Sequence, residues 1–266
     1  MSNYWAERMQ RQRDAITNKT NEAIEKQLKR YYRNTIRRVI KDFEATYDKL
    51  LAAIEDGKQP TPADLYKLDR YWQMQTQLKA EMQKLGDKEV ALLSRQFEKE
   101  WKEIYESTAL PSKAAFSTIS LDNAKAMINS IWLPDGKNFS QRIWDNIEDL
   151  IETLNDNLVH CVITGKKTTE LKKLLQERFN VSYNRANTLV RTEIAHIQVQ
   201  ASAQRYKDYG LTKYEFLGRD EHDIGCQCKK LNGQVFYYSE MQPGKNAPPM
   251  HPNCRCDIIP VIEDNE

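Results

Sequence analysis

Apolar residues recur every three or four positions along most of the first two hundred residues, the period of an amphipathic helix. From residue 4 to 56 the chain holds no Gly or Pro. Leu28, Tyr32, Ile36, Val39, Phe43, Tyr47, Leu50 and Ile54 form one stripe there, predicting a single long helix capped by Gly57. Thr61-Pro62-Ala63-Asp64 starts the next: Thr61 caps, Pro62 takes the first helical position and Asp64 favours the positive end. Its buried side is predicted from Leu65, Leu68, Trp72, Leu78, Met82 and Leu85, with a break at Gly86-Asp87. A third helix follows through Val90, Leu93, Phe97, Trp101, Ile104 and Tyr105.

Residues 111–120 are small and polar and predict a boundary. A short helix over 121–131 and a turn at Pro134-Asp135-Gly136 come next. Ser140 can cap a helix with the stripe Ile143, Ile147, Ile151, Leu154, Leu158 and Val162, closed by Gly165. Cys161 near its end reads as a small buried apolar residue and His160 as an ordinary helix residue. Two further helices are expected, one from Thr168 through Phe179 and one from Ser182 to Gly210. The second carries Arg191-Thr192-Glu193, whose Arg191 and Glu193 point to different sides.

After Gly210 the period changes. Lys213-Tyr214-Glu215-Phe216-Leu217 alternates polar and apolar, as a half-buried strand does. Asn232-Gly233 is a hairpin signal, and residues 256–262 read as a last strand that Pro260 confines to an edge. The predicted fold is mainly α with a small C-terminal antiparallel β unit. It divides into a helical N-terminal arm (1–110), a helical core (111–210) and a small β-containing Cys/His unit (211–266).

Charge adds one local feature. Lys and Arg total 40 against 38 Asp and Glu, so the chain is no polyelectrolyte overall. Yet Lys26, Arg30, Arg33, Arg37 and Lys41 share a helix face, Lys29 and Arg38 flank it, and no acid intervenes from 26 to 41. Such a stripe suits phosphates or an acidic partner; it is also what a solvated helix face looks like. No apolar run reaches membrane-span length, and the N-terminus lacks a signal-peptide core, so a cytosolic origin with reduced cysteines is expected.

The chemistry concentrates at the C-terminal end, where four of the five cysteines and one of four histidines fall between 226 and 256. Cys226, Cys228, His251, Cys254 and Cys256 are one more than a tetrahedral zinc needs. Each Cys-x-Cys in extended conformation points both thiols the same way. A structural zinc and a set of reduced, partly buried thiols are both open. Hydrolase, nucleotide-binding and zinc-enzyme motifs (Gly-x-Ser-x-Gly, Walker, Rossmann, His-Glu-x-x-His) do not occur, which argues against an enzyme.

The order Arg191-Thr192-Glu193, Asp220, Cys228-Lys229-Lys230-Leu231-Asn232-Gly233, then Pro248-Pro249-Met250-His251-Pro252-Asn253-Cys254-Arg255-Cys256, resembles the phage head morphogenesis family, the Mu protein F-like minor head proteins. The strongest similarity covers residues 150–262. The family often shows Cys-x-x-Cys before its turn; here Gly225 holds the first of those positions and Cys226 lies beside it. The resemblance implies a non-enzymatic virion component inside the head near the portal, assembled in the host cytoplasm and acting in head morphogenesis and in DNA packaging and ejection. Its implied partners are the portal protein, capsid or scaffolding protein and double-stranded DNA, with no membrane. Two rivals are a zinc-stabilised nucleic-acid-binding module outside a virion, which must contend with Asp220, Glu221 and Asp223 beside the cluster, and a cysteine- or metal-dependent enzyme or toxin.

Overall fold

The computed structural model describes residues 3–52, 60–108, 121–219 and 227–262. The elements run α1 (Asn3–Ala52), α2 (Pro62–Tyr66), α3 (Asp69–Ser107), α4 (Leu121–Ile128), α5 (Phe139–Ile163), α6 (Thr168–Asp208), β1 (Lys213–Leu217), α7 (Gln227–Leu231), β2 (Val235–Tyr237) and β3 (Asp257–Pro260). The chain is thus mainly helical, with one small antiparallel sheet near the C-terminus. Gly57, Ile54 and the boundary at 111–120 lie outside the described residues.

Two compact units form, each from non-contiguous segments. One comprises Glu25–Ala91 and Ser140–Asn187; the other comprises Met1–Ile24, Leu92–Phe139 and Thr188–Glu266.

In the all-helical unit most residues of the predicted apolar stripes are buried. Leu28, Val39, Phe43, Tyr47 and Leu50 of α1 are buried with Met74, Leu78, Met82 and Leu85 of α3 and Ile143, Ile147 and Leu154 of α5. Several polar groups inside are paired. Asn146 Nδ2 donates to Tyr32 Oη (3.2 Å) and to the Ser182 carbonyl (3.1 Å), and Asn155 Oδ1 accepts from Tyr71 and Gln75, both at 2.7 Å. Gly165 ends α5 in the left-handed region, φ 62°, with Lys166 N–H donating to Cys161 O and Gly165 N–H to Val162 O, a Schellman closure.

Three expectations in this unit are corrected. The predicted helix from Pro62 stops at Tyr66 and α3 restarts at Asp69. The restart shifts the helical phase, so Tyr71 and Met74 turn inward while Trp72 is 54 % exposed. Gly86-Asp87 does not break α3. The Gly86 position is filled from outside instead: a Cβ there would lie 2.4 Å from the Trp144 ring. Ser182 does not start a helix either. It is buried within the continuous α6, where its carbonyl receives Asn146 and its hydroxyl meets Tyr32 at 3.3 Å.

A test follows from Gly86. Gly86→Ala adds a methyl that the indole must vacate, with an expected loss of about 1–3 kcal/mol for overpacking. That loss acts against the ~1 kcal/mol by which Ala favours a helix over Gly. Urea unfolding of G86A, of Trp144→Leu and of the double variant reads it. A Gly86→Ala change that costs as much in the Trp144→Leu background as beside Trp144 would refute the close approach.

The second unit carries the sheet, ordered β2-β1-β3, all antiparallel. β1 is central, with Phe216 opposite Ile258 and Leu217 opposite Asp257. β3 lies at an edge, as Pro260 requires, yet all four of its residues are buried. Tyr214 and Phe216, two apart, enter the core from one face of β1. Tyr214 joins Val199, Ala203 and Tyr206 of α6 and Ile258 of β3, while Phe216 joins Cys228, Cys254 and Cys256.

The Asn232-Gly233 turn corrects another expectation. It follows the short helix α7 rather than joining two strands. Gly233 N–H donates to Phe216 O, and Phe216 N–H to Gln234 O, so the turn feeds β2 onto β1.

Candidate functional site

The Cys/His segment is assembled from three places. α7 supplies Cys228, the turn after the cis Pro248-Pro249 bond supplies His251, and the approach to β3 supplies Cys254 and Cys256. Donor atoms of Cys228, His251 and Cys254 all lie within 4.8 Å of one another. The two sulfurs are 3.9 Å apart, well beyond a disulfide bond. Cys228, Cys254 and Cys256 are each at most 3 % exposed, covered by Phe216, Leu231, Phe236 and Met250. Cys226 and Asp220 lie outside the described residues. The extended Cys-x-Cys expectation fits 254–256, whose thiols share one cluster, and fails at Cys228, which sits on a helix because α7 begins at Gln227.

The loop is held by backbone-directed bonds. Cys254 N–H donates to His251 O (3.1 Å) and closes the turn, with Asn253 in the left-handed region at φ 58°. Asn253 N–H donates to Thr192 Oγ1 (3.1 Å), whose own hydroxyl donates to Thr188 O one turn back. Arg219 Nε donates to Arg255 O (2.9 Å) and its Nη2 pairs with Asp14 (2.5 Å). The Arg191-Thr192-Glu193 string therefore works chiefly through its middle residue. Thr192 clamps the loop, Glu193 is buried and accepts from Trp132 Nε1 (3.0 Å), and Arg191 is half-buried. Trp132 also stacks on His196, centroids 4.3 Å apart and rings 8° from parallel.

The thiols differ in their protons. A hydrogen bond from the Cys256 thiol, with backbone N–H groups of Met250 and Cys256 and the neighbouring His251, pulls Cys254 down to about 5. Cys256 moves the other way, held protonated as donor to Cys254 and by burial. The two opposite shifts have one cause, the hydrogen bond between the buried thiols. His251 Nδ1 sits 2.9 Å from Pro252 O; a carbonyl only accepts, so Nδ1 carries the proton and Nε2 the lone pair.

The unit's deepest polar site was not singled out from sequence. Arg13 of α1 is 2 % exposed and meets Asp257 Oδ2 at 2.8 Å. It also donates to Ile258 O (3.0 Å), Ser202 Oγ and Tyr206 Oη (3.1 Å each). Gln198 Nε2 donates to the same carboxylate at 3.0 Å and the Ile258 N–H at 2.8 Å. No local pattern marks this contact, because Arg13 and Asp257 come from opposite ends of the chain.

The basic residues are where the sequence places them. Lys26, Lys29, Arg30, Arg33, Arg37, Arg38 and Lys41 are all exposed along α1. Arg38 is already engaged, by Glu81 and by Thr35 Oγ1 at 3.2 Å.

A long helix that clamps a Cys/His loop against a three-stranded sheet defines a small stapled structural domain. Residues 152–259 match the family model described as Phage Mu protein F like protein. An uncharacterized protein of Haemophilus influenzae is 20% identical over 116 residues, 44% of this chain and 26% of the relative. The chain therefore covers about a quarter of that relative's length. No solved structure matches. Among the described residues no helix is long and apolar enough to cross a membrane.

Proposed function

We propose that the protein is a non-enzymatic minor head protein. It associates with the portal inside the head, acts in head assembly and in DNA packaging and ejection, and touches packaged DNA through α1. The family match over 152–259 carries the head assignment. The exposed basic row from Lys26 to Lys41, with no acid within it, supports the DNA contact. Side chains at 26, 30, 33, 37 and 41 advance by one turn each, so a single phosphate-lined surface can meet all of them. Arg38, paired with Glu81, contributes least to such a surface.

Pull-down by a portal protein of the same phage tests the first part; no association in an assembly-competent lysate would defeat it. For the second, Arg30→Glu/Arg33→Glu/Arg37→Glu should weaken duplex DNA binding across sequences and flatten the plot of log affinity against log salt by roughly 3, about 0.9 per lost phosphate contact. An unchanged salt slope would remove DNA from the reading without touching the portal association.

A further inference from the structure

We propose that Cys228, His251, Cys254 and Cys256 are the ligands of a structural zinc ion, Cys256 adding the third thiolate from the same buried cluster. The first three donors converge within 4.8 Å although they come from a helix, a turn and a strand approach. The 3.9 Å between the Cys228 and Cys254 sulfurs matches the roughly 3.8 Å edge of a tetrahedron with 2.3 Å zinc–sulfur bonds. The His251 tautomer agrees. Its Nδ1–H points to Pro252 O at 2.9 Å, the outer-shell bond that ligating histidines make, and Nε2 is left as the ligating nitrogen.

The surroundings suit a closed structural site. Phe216, Leu231, Phe236 and Met250 cover the sulfurs, which excludes the water a catalytic zinc would keep. Three thiolates and a neutral imidazole around the ion carry one net negative charge, and Lys229, Lys230 and Arg255 stand exposed beside the ligands in sequence. The loop is pinned at Asn253 by Thr192 and at Arg255 by Arg219, and neither bond uses a ligand atom. The strands here have only five, three and four residues. So small a sheet gains a large share of its stability from an ion joining α7 to the approach of β3.

The test uses the full chain, reconstituted with zinc under anaerobic reducing conditions and desalted, then measured for metal by mass spectrometry. About one zinc per chain is expected, falling to near zero in His251→Ala and Cys254→Ser. Cobalt replacing zinc in the wild type keeps the test independent of whether those variants fold. It should show tetrahedral d–d bands and a thiolate-to-cobalt charge-transfer band with the intensity of three Co–S bonds. The charge-transfer band weakens in Cys256→Ser, which removes one of the three thiolates. A folded wild type that holds no stoichiometric zinc, a cobalt spectrum without thiolate charge transfer, or an undiminished band in Cys256→Ser would overturn the site.

Discussion

Asp257→Asn should cost the protein about 3–5 kcal/mol, the range for leaving one member of a buried ion pair behind. Arg13 would remain 2 % exposed and charged, without its counter-ion. Arg13, Gln198 and the Ile258 N–H all donate to the Asp257 carboxylate, the arrangement of a charge-assisted pair. Burial pushes the Asp257 carboxyl up and the Arg13 charge pulls it down, with a net rise, so the pair is held against a real desolvation cost. Replacing both partners, Arg13→Met with Asp257→Leu, should recover much of the loss, because an apolar pair has no charge to desolvate. Equilibrium urea unfolding of the two variants reads this. A D257N loss under about 1 kcal/mol, below what an uncompensated buried charge costs, would mean water reaches Arg13.

The second large effect is on pH. Glu89 of α3 is 1 % exposed, and burial, opposed by a hydrogen bond with Tyr32, pushes its carboxyl up to about 8. Over the window from about 4.5 to about 8 the folded chain holds a proton that the unfolded chain has lost. Stability from this group is full below 4.5, declines as pH rises, and is gone above 8. Between pH 5 and pH 8.5 wild type should lose on the order of 3–4 kcal/mol from Glu89. Glu100 and Asp257 are raised too and add slope of the same sign. Glu89→Gln isolates the first contribution: unfolding at the two pH values should show a markedly shallower loss, with the variant more stable than wild type at pH 8.5. Equal slopes in both proteins would exclude a protonated Glu89.

Helix content was legible because each apolar stripe reports its own period, and most stripe residues are buried where the period puts them. The misses share one cause. Gly86-Asp87 and Ser182 carry local signals for a break and a start, and both lie inside continuous helices. Trp144 against Gly86, and Asn146 and Tyr32 against Ser182, supply contacts that outweigh a local preference of about 1 kcal/mol. Trp72 failed for a geometric reason: a two-residue interruption at Lys67-Leu68 changes the face that every later residue presents.

The Cys/His segment was identifiable as a cluster because its residue types are rare and closely spaced, and its string of motifs marked the family. Spacing alone could not say which donors meet. Cys228 turns out to lie on a helix, and Cys254 and Cys256 join it in one buried cluster.

By itself the sequence determined the helical class, the strand at 213–217, the basic row on α1 and the likeness of residues 152–259 to Phage Mu protein F like protein, since each depends on local period or local identity. Tertiary structure alone decided that Thr192 clamps the loop 61 positions away, that Arg13 and Asp257 neutralise each other across 244 positions, and that Cys228, His251 and Cys254 converge. The physical reason is range. Periodicity records which side of an element is dry, whereas hydrogen bonds and ion pairs act over about 3 Å between atoms that only the folded chain brings together.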